Sequence, residues 1–175
     1  MVQLETERLR LCTWDEDDWR VLKPIATDSR VMRFISRGVP WTDGQIRDFV
    51  DRNRTLFLEK GFCRWKLEEK TSGEIIGFCG LGFLHDEPRL EIGWWLARAF
   101  WGRGLASEAA RAAFGDATDR LHLRQIVSIA HRDNHASIRI MRKLGLRLEK
   151  QYEYAGTPTV MYAFEAENLA EEARA

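Results

Sequence analysis

Residues Trp94 to Ala109 read W-W-L-A-R-A-F-W-G-R-G-L-A-S-E-A, a strand-like run that passes through Gly102-Arg103-Gly104 and enters a helix at Leu105. A junction of this kind binds anions. The first amides of the helix have no acceptor within it and lie at the positive end of the helix dipole. Each charge held there gains roughly 0.3–1 kcal/mol, or about 2 when partly buried. Gly102 and Gly104 let the backbone approach a pyrophosphate, the small Ala106 and Ser107 continue that clearance, and the Ser107 hydroxyl adds a donor. Spacing argues against two other phosphate loops. No G-x-x-x-x-G-K-[ST] run is present. A dinucleotide fingerprint asks for a third Gly or Ala where Ser107 stands, near the start of a strand-helix-strand unit, whereas here at least three strands come first.

A second run, Asn134 to Leu146, reads N-H-A-S-I-R-I-M-R-K-L-G-L. Asn134 can cap a helix, Ile138, Ile140, Met141 and Leu144 can pack, and Gly145 can turn the chain out of it. Asn134 follows a strand and Ser137 lies one turn on, so both can face a group bound alongside.

Both runs resemble the GCN5-related N-acetyltransferase (GNAT) superfamily. The first fits Q/R-x-x-G-x-G/A with Trp101 in place of Gln or Arg. The W-G-x-G-x-A-x-E-A form, usual among ribosomal-protein N-terminal (alanine/serine) acetyltransferases, matches Trp101 through Ala109. The second resembles N-x-x-S-x-x-x-x-x-K-L-G-F with Leu146 for Phe. Glu91 to Leu96 is similar to that subfamily's E-I-G-Y-W-L, with Trp94 for Tyr, and the opening Thr6-Glu7-Arg8-Leu9-Arg10-Leu11 is similar as well. The likeness runs in order over residues 4–165.

The resemblance implies an acyltransferase that moves the acetyl group of acetyl-CoA directly to an amine through a ternary complex. The acceptor would be a protein N-terminal α-amine or a small-molecule amine. It also implies that pantetheine lies like an extra strand between the strand ending at Leu96 and one at residues 124–130, bound by Trp94, Trp95 and Leu96. An amide near Trp94 or Trp95 would polarise the thioester carbonyl. Gly102, Arg103, Gly104, Leu105, Ala106 and Ser107 would hold the pyrophosphate, Asn134 the pantetheine arm, and Ser137 would sit near the departing sulfur. Arg139 or Arg142 would reach adenosine phosphates or be solvated.

The acceptor must be neutral to attack. Reference pKa values of about 7.7–8.0 for an α-amine and about 10.4 for Lys differ by about 2.5 units, or roughly 3.4 kcal/mol, so an α-amine needs less help. Glu91 is the candidate base, with a surface ion pair as the competing role. Strict alternation puts it on the face of Gly93 and Trp95, and a bulge would change that. Ser137 or water would protonate a leaving thiolate of pKa about 8.5. His85 and His131 are bland turn and strand-end residues or touch substrate. Trp14, Trp19, Phe34, Trp41 and Trp65 line an acceptor cleft or belong to the core.

The elements that must position these groups follow from pattern. Strands are expected at residues 8–13, 62–68, 74–84, 89–96, 124–130, 146–154 and 159–165, the last two flanking a turn at Gly156-Thr157-Pro158. Helices are expected at about 14–26, from Thr42-Asp43 onward, at 105–121 and at 136–144. This gives an α+β (mixed α/β layers) fold, with about four helices on a twisted, mostly antiparallel sheet of about six to seven strands. One domain is expected over residues 1–167, followed by a frayed tail at 168–175.

Composition bounds the rest. The 175 residues carry 27 Lys and Arg against 27 Asp and Glu, which disfavours a nucleic-acid or membrane-surface binder. The three cysteines have no C-x-x-C pairing and no His at ligand spacing, so no metal is expected. The chain has no signal-like start and no membrane-length apolar run, so a cytoplasmic protein is expected, and the acetyltransferase reading takes it as a monomer or homodimer. The competing reading is a non-catalytic acyl-CoA-binding sensor.

Overall fold

The computed structural model describes residues 1–85 and 87–166. The expected tail at 168–175 lies outside the described residues. Eight strands form one sheet: β1 (Val2–Glu5), β2 (Leu9–Cys12), β3 (Arg64–Glu69), β4 (Ile75–Leu84), β5 (Glu87–Leu96), β6 (Gln125–His131), β7 (Arg147–Tyr154) and β8 (Thr157–Glu165). Their order is β1-β2-β3-β4-β5-β6-β8-β7, and every neighbouring pair is antiparallel except β5 with β6.

Among the described residues five helices cover it: α1 (Trp19–Ala26), α2 (Ser29–Met32), α3 (Asp43–Lys60), α4 (Leu105–Asp119) and α5 (His135–Lys143). The fold is thus the expected α+β layering, with one more strand and one more helix than the expected range. β1 is four residues long and α2 a single turn, both too short to show a period. The first expected helix is split: a 3-10 turn at Glu16–Asp18 precedes α1. The last hairpin turns at Ala155-Gly156, with φ of 49° and 74°, so Thr157 and Pro158 already belong to β8. Two successive positive φ values suit the twist of a tight hairpin, and proline is tolerated at a strand's start.

Local chemistry sets the helix ends near the candidate residues. Thr42 and Gln45 form a reciprocal capping box on α3, and Gly61 ends that helix at φ 73°. Asn134 caps α5 by accepting from the Ser137 amide at 3.2 Å. α1 and α3 pack together on one face of the sheet, where Phe49 of α3 meets Phe78 of β4 at 4.7 Å between ring centroids. α4 lies on the other face against β4 and β5, burying Leu105, Ala109, Ala110, Ala113 and Ala117, with α5 beside it. Small alanines bring that helix axis close to the strands.

Glycines on β4 make room for its neighbours. A Cβ at Gly80, where φ is 147°, would collide with the Cys63 carbonyl just before β3. In α4, by contrast, a Cβ at Gly115 meets only Asp119 Oδ2 at 4.0 Å. Gly80→Ala should therefore lower unfolding stability by about 2–3 kcal/mol. Gly115→Ala should raise it by about 0.5–1 kcal/mol by removing backbone entropy from the unfolded chain. Urea unfolding of the two variants beside the parent checks both signs.

Candidate active site

β5 and β6 pair only at Leu90 with Ile126 and at Glu91 with Val127. Beyond that point β5 continues to Leu96 bound to β4, and β6 to His131 bound to β8, so a gap opens between two strands each held on its outer side. Ser128 marks its apex: the hydroxyl donates to the Ile92 carbonyl at 2.8 Å. Main-chain polar groups alternate between the two edges of a strand, so the Trp94 amide shares the gap-facing edge with the Ile92 carbonyl. Trp95 turns its carbonyl to β4, which is why a Cβ at Gly77 would collide with it. The Leu96 carbonyl accepts from Trp101 Nε1 at 2.8 Å, and that indole ties the glycine loop to the end of β5.

In the loop, Gly102 and Gly104 have φ of 74° and 79°. Nothing lies within 4 Å of a Cβ built on Gly102, and only Arg8 Nη2, at 3.6 Å, approaches one built on Gly104. The approach to the α4 amides of Leu105, Ala106 and Ser107 is therefore open. Ser107 is half-buried. Arg103 donates to Glu69 Oε1 at 3.1 Å, and Ser72 and Arg103 hold the Glu69 carboxyl below the usual range against its burial.

The loop is anchored by groups that motif reading did not single out. Glu108, in the first turn of α4, accepts from the Thr6 hydroxyl at 2.6 Å, the Arg8 amide at 2.9 Å and Arg8 Nε at 2.7 Å. Arg8 Nη1 also donates to the Arg103 carbonyl at 2.8 Å. Burial pushes the Glu108 carboxyl up, but these bonds outweigh it and hold it below the usual carboxylate range. The sequence signal was present: the family-like opening contains Thr6 and Arg8, and Glu108 is the acid of the W-G-x-G-x-A-x-E-A run.

Below the gap lies a cavity of about 380 Å³ that gathers Glu91, Trp94, Trp95, Asn134, Ser137 and the end of β6. The register of β5 against β4 is unbroken from Leu90 to Leu96, and its irregularity falls nearer the hairpin turn. Glu91 therefore keeps the face of Gly93 and Trp95. It is 6% exposed and paired with Arg64 of β3. Glycines make the trough for that pair: a Cβ at Gly82 would strike the Arg64 guanidinium, and one at Gly93 would come within 2.9 Å of Glu91 Oε1.

The Asn134 oxygen is engaged with the Ser137 amide, which leaves its amide nitrogen to donate. Phe34 and Trp41 line the cavity, with Trp41 4.6 Å from Trp95 between centroids, whereas Trp14 and Trp65 are core and Trp19 lies outside. His131 lines the cavity and stacks on Phe34 at 5.1 Å; His85 does not line it. Burial pushes the Cys63 thiol up to about 12 and raises Cys79 as well, so neither is an activated nucleophile.

A strand gap that leads to an open helix start has the shape and donors for an extended, amide-bearing ligand ending in a pyrophosphate. The chain belongs to the GNAT acetyltransferase family, whose acetyltransferase (GNAT) domain matches residues 8–147. It is 33% identical over 160 residues to a Bacillus licheniformis protein described as uncharacterized N-acetyltransferase p20, covering 89% of both chains. A GNAT-family acetyltransferase structure from Bacillus anthracis is 25% identical with a TM-score of 0.77, over 94% of this chain and 98% of that one. The same fold occurs in RimL, the ribosomal L7/L12 alpha-N-protein acetyltransferase solved with coenzyme A, at 23% identity and a TM-score of 0.77 over 95% and 98% of the chains.

Because the folded Glu108 carboxyl is depressed, its contribution is full above the unfolded value of about 4.3 and is lost as pH falls through the folded value. Glu108→Gln should cost about 1–2 kcal/mol at pH 7, discounted for the partly exposed Arg8. The cost should shrink toward pH 3. Unfolding curves at pH 7 and pH 3 measure that difference.

Proposed function

We propose that this chain transfers the acetyl group of acetyl-CoA directly to an amine, either a protein N-terminal α-amine or a small-molecule amine. The observation that carries this reading is the β5–β6 gap, whose free strand edge runs toward the open first turn of α4. Family membership and the RimL fold with its coenzyme A support the choice of donor. Acetyl-CoA, when bound, supplies the thioester as activated acyl donor.

The residues divide the work. The amides of Leu105, Ala106 and Ser107, cleared by Gly102 and Gly104, bind the pyrophosphate, and Arg103 adds positive charge beside it. Trp94 and Leu96 form the gap-facing strand edge that orients the pantetheine, Trp95 turns its main chain to β4 and contributes its ring to the cavity wall, and the Asn134 side-chain amide donates from the opposite wall. The gap-facing Trp94 amide donates to the thioester oxygen as negative charge develops there. Glu91 takes the proton of the incoming amine through water, and Arg64 fixes the carboxylate for that task. Ser137 Oγ donates a hydrogen bond to the departing thiolate and relays to it a proton taken from solvent water, so that the hydroxyl is restored. An α-amine with reference pKa about 7.7–8.0 is neutral often enough near pH 8 to need no stronger base.

Thiol release with acetyl-CoA and a panel of peptide N-termini and small amines tests this reading. Ser137→Ala and Glu91→Gln should lower turnover by roughly 10²-fold while calorimetric affinity for acetyl-CoA stays within about threefold. Thermal melts establish that Glu91→Gln is folded despite losing its partner's match. Binding by the parent protein without turnover on any amine would instead mark a non-catalytic sensor.

A further inference from the structure

The cavity carries an unmatched positive charge. Among the described residues one carboxylate lines it, Glu91, and that is already paired with Arg64. Arg52 also lines it, from α3 one turn beyond Phe49, and forms no ion pair with any described residue. The mouth adds to this imbalance. Arg33 forms no ion pair among the described residues and sits 5.0 Å over the Phe34 ring, and Phe34 is a wall residue. Arg37 likewise forms none, and its Cδ lies 3.4 Å from a Cβ built on Gly156 in the β7–β8 turn. His131 turns its Nδ1 to the Asp133 amide at 3.1 Å, and Asp133 does not line the cavity.

A purely cationic amine entering here meets arginines, and the one carboxylate that the described residues offer it is occupied. Arg33, Arg37 and Arg52 are all exposed, so the like-charge repulsion that disfavours polyamines and Lys-rich segments here is screened by solvent and salt and is strongest at low ionic strength. A guanidinium presents a fixed fork of donors that matches a carboxylate with two parallel bonds. Beside it, Phe34, Trp41 and Trp95 supply aromatic surface for an apolar side chain.

We infer that the acceptor is an amine that also carries a carboxylate within a few bonds, with Arg52 as the counter-ion of that carboxylate. This rests on the acetyl-transfer reading above and names the class of acceptor for the same site. The shared chemistry occurs in a free amino acid and in an acidic peptide N-terminus. The aromatic wall favours an apolar group on the same molecule.

Two matched pairs test the inference by thiol release with acetyl-CoA: L-phenylalanine against 2-phenylethylamine, and a hexapeptide with Asp at its second position against one with Lys. The carboxylate-bearing member of at least one pair should have a kcat/KM about tenfold higher, and which pair responds distinguishes free amino acid from peptide. In Arg52→Gln the two members should become equivalent, through KM and not kcat, and Arg52→Lys should restore part of the difference. Equal or better use of 2-phenylethylamine and the Lys peptide overturns the inference, as does a preference that survives Arg52→Gln. If no amine turns over, calorimetry of N-acetyl-L-phenylalanine against N-acetyl-2-phenylethylamine on the protein with coenzyme A decides by the same criterion. Failure to bind acetyl-CoA would count against the transfer reading, and direct titration of the two amines would still read the charge preference.

Discussion

The parting of β5 from β6 is the constraint on which the rest of this molecule depends. Two strands that share only the pairs Leu90–Ile126 and Glu91–Val127 must leave the following main-chain groups without partners. Unpaired backbone groups are costly unless something satisfies them, so such a gap persists only if both walls are rigid and its edge is solvated or occupied. Both walls are rigid here, since β4 pairs along β5 to Leu96 and β8 pairs along the whole of β6. The Ser128 hydroxyl satisfies the first orphaned carbonyl at Ile92 and so fixes where the gap begins.

Everything that would do chemistry is placed relative to that gap. The end of β5 feeds the glycine loop, and the Trp101 indole on the Leu96 carbonyl fixes the exit angle. The Thr6–Arg8 turn grips Glu108 and the Arg103 carbonyl, so the start of α4 is held by the turn between β1 and β2. On the cavity side, the absence of side chains at Gly82 and Gly93 lets the Arg64–Glu91 pair lie flat against the sheet. A buried pair of this kind contributes little net stability, because desolvation offsets much of the attraction, and its value here is positional.

Local features were legible in the sequence and long-range partnerships were not. The glycine loop, the Thr42 cap of α3 and the Asn134 cap of α5 each depend on residues within a few positions, and they stand where the pattern put them. The same pattern missed β1 and α2, which are shorter than one reliable period, and misread Thr157-Pro158 as a turn because the φ-positive residues are Ala155 and Gly156. Glu91 was visible as a carboxylate on the cavity face, but not its partner: Arg64 sits two strands away and reaches it over a glycine trough. Glu108 matched a family motif, yet its bonds to Thr6 and Arg8 span about 100 positions of sequence. Resemblance therefore singled out the glycine loop, while geometry alone revealed what holds it in place.

The most direct measurement is titration calorimetry of the purified chain with acetyl-CoA, run beside Gly104→Glu, with thermal melts to establish that both are folded. Glutamate at that position puts a negative charge and a side chain at the mouth of the α4 amides. Saturable binding to the parent protein at one site and none to the variant is the expected result. No binding to a folded parent protein, or undiminished binding to the variant, would contradict the placement of the donor in the β5–β6 gap and on the α4 amides.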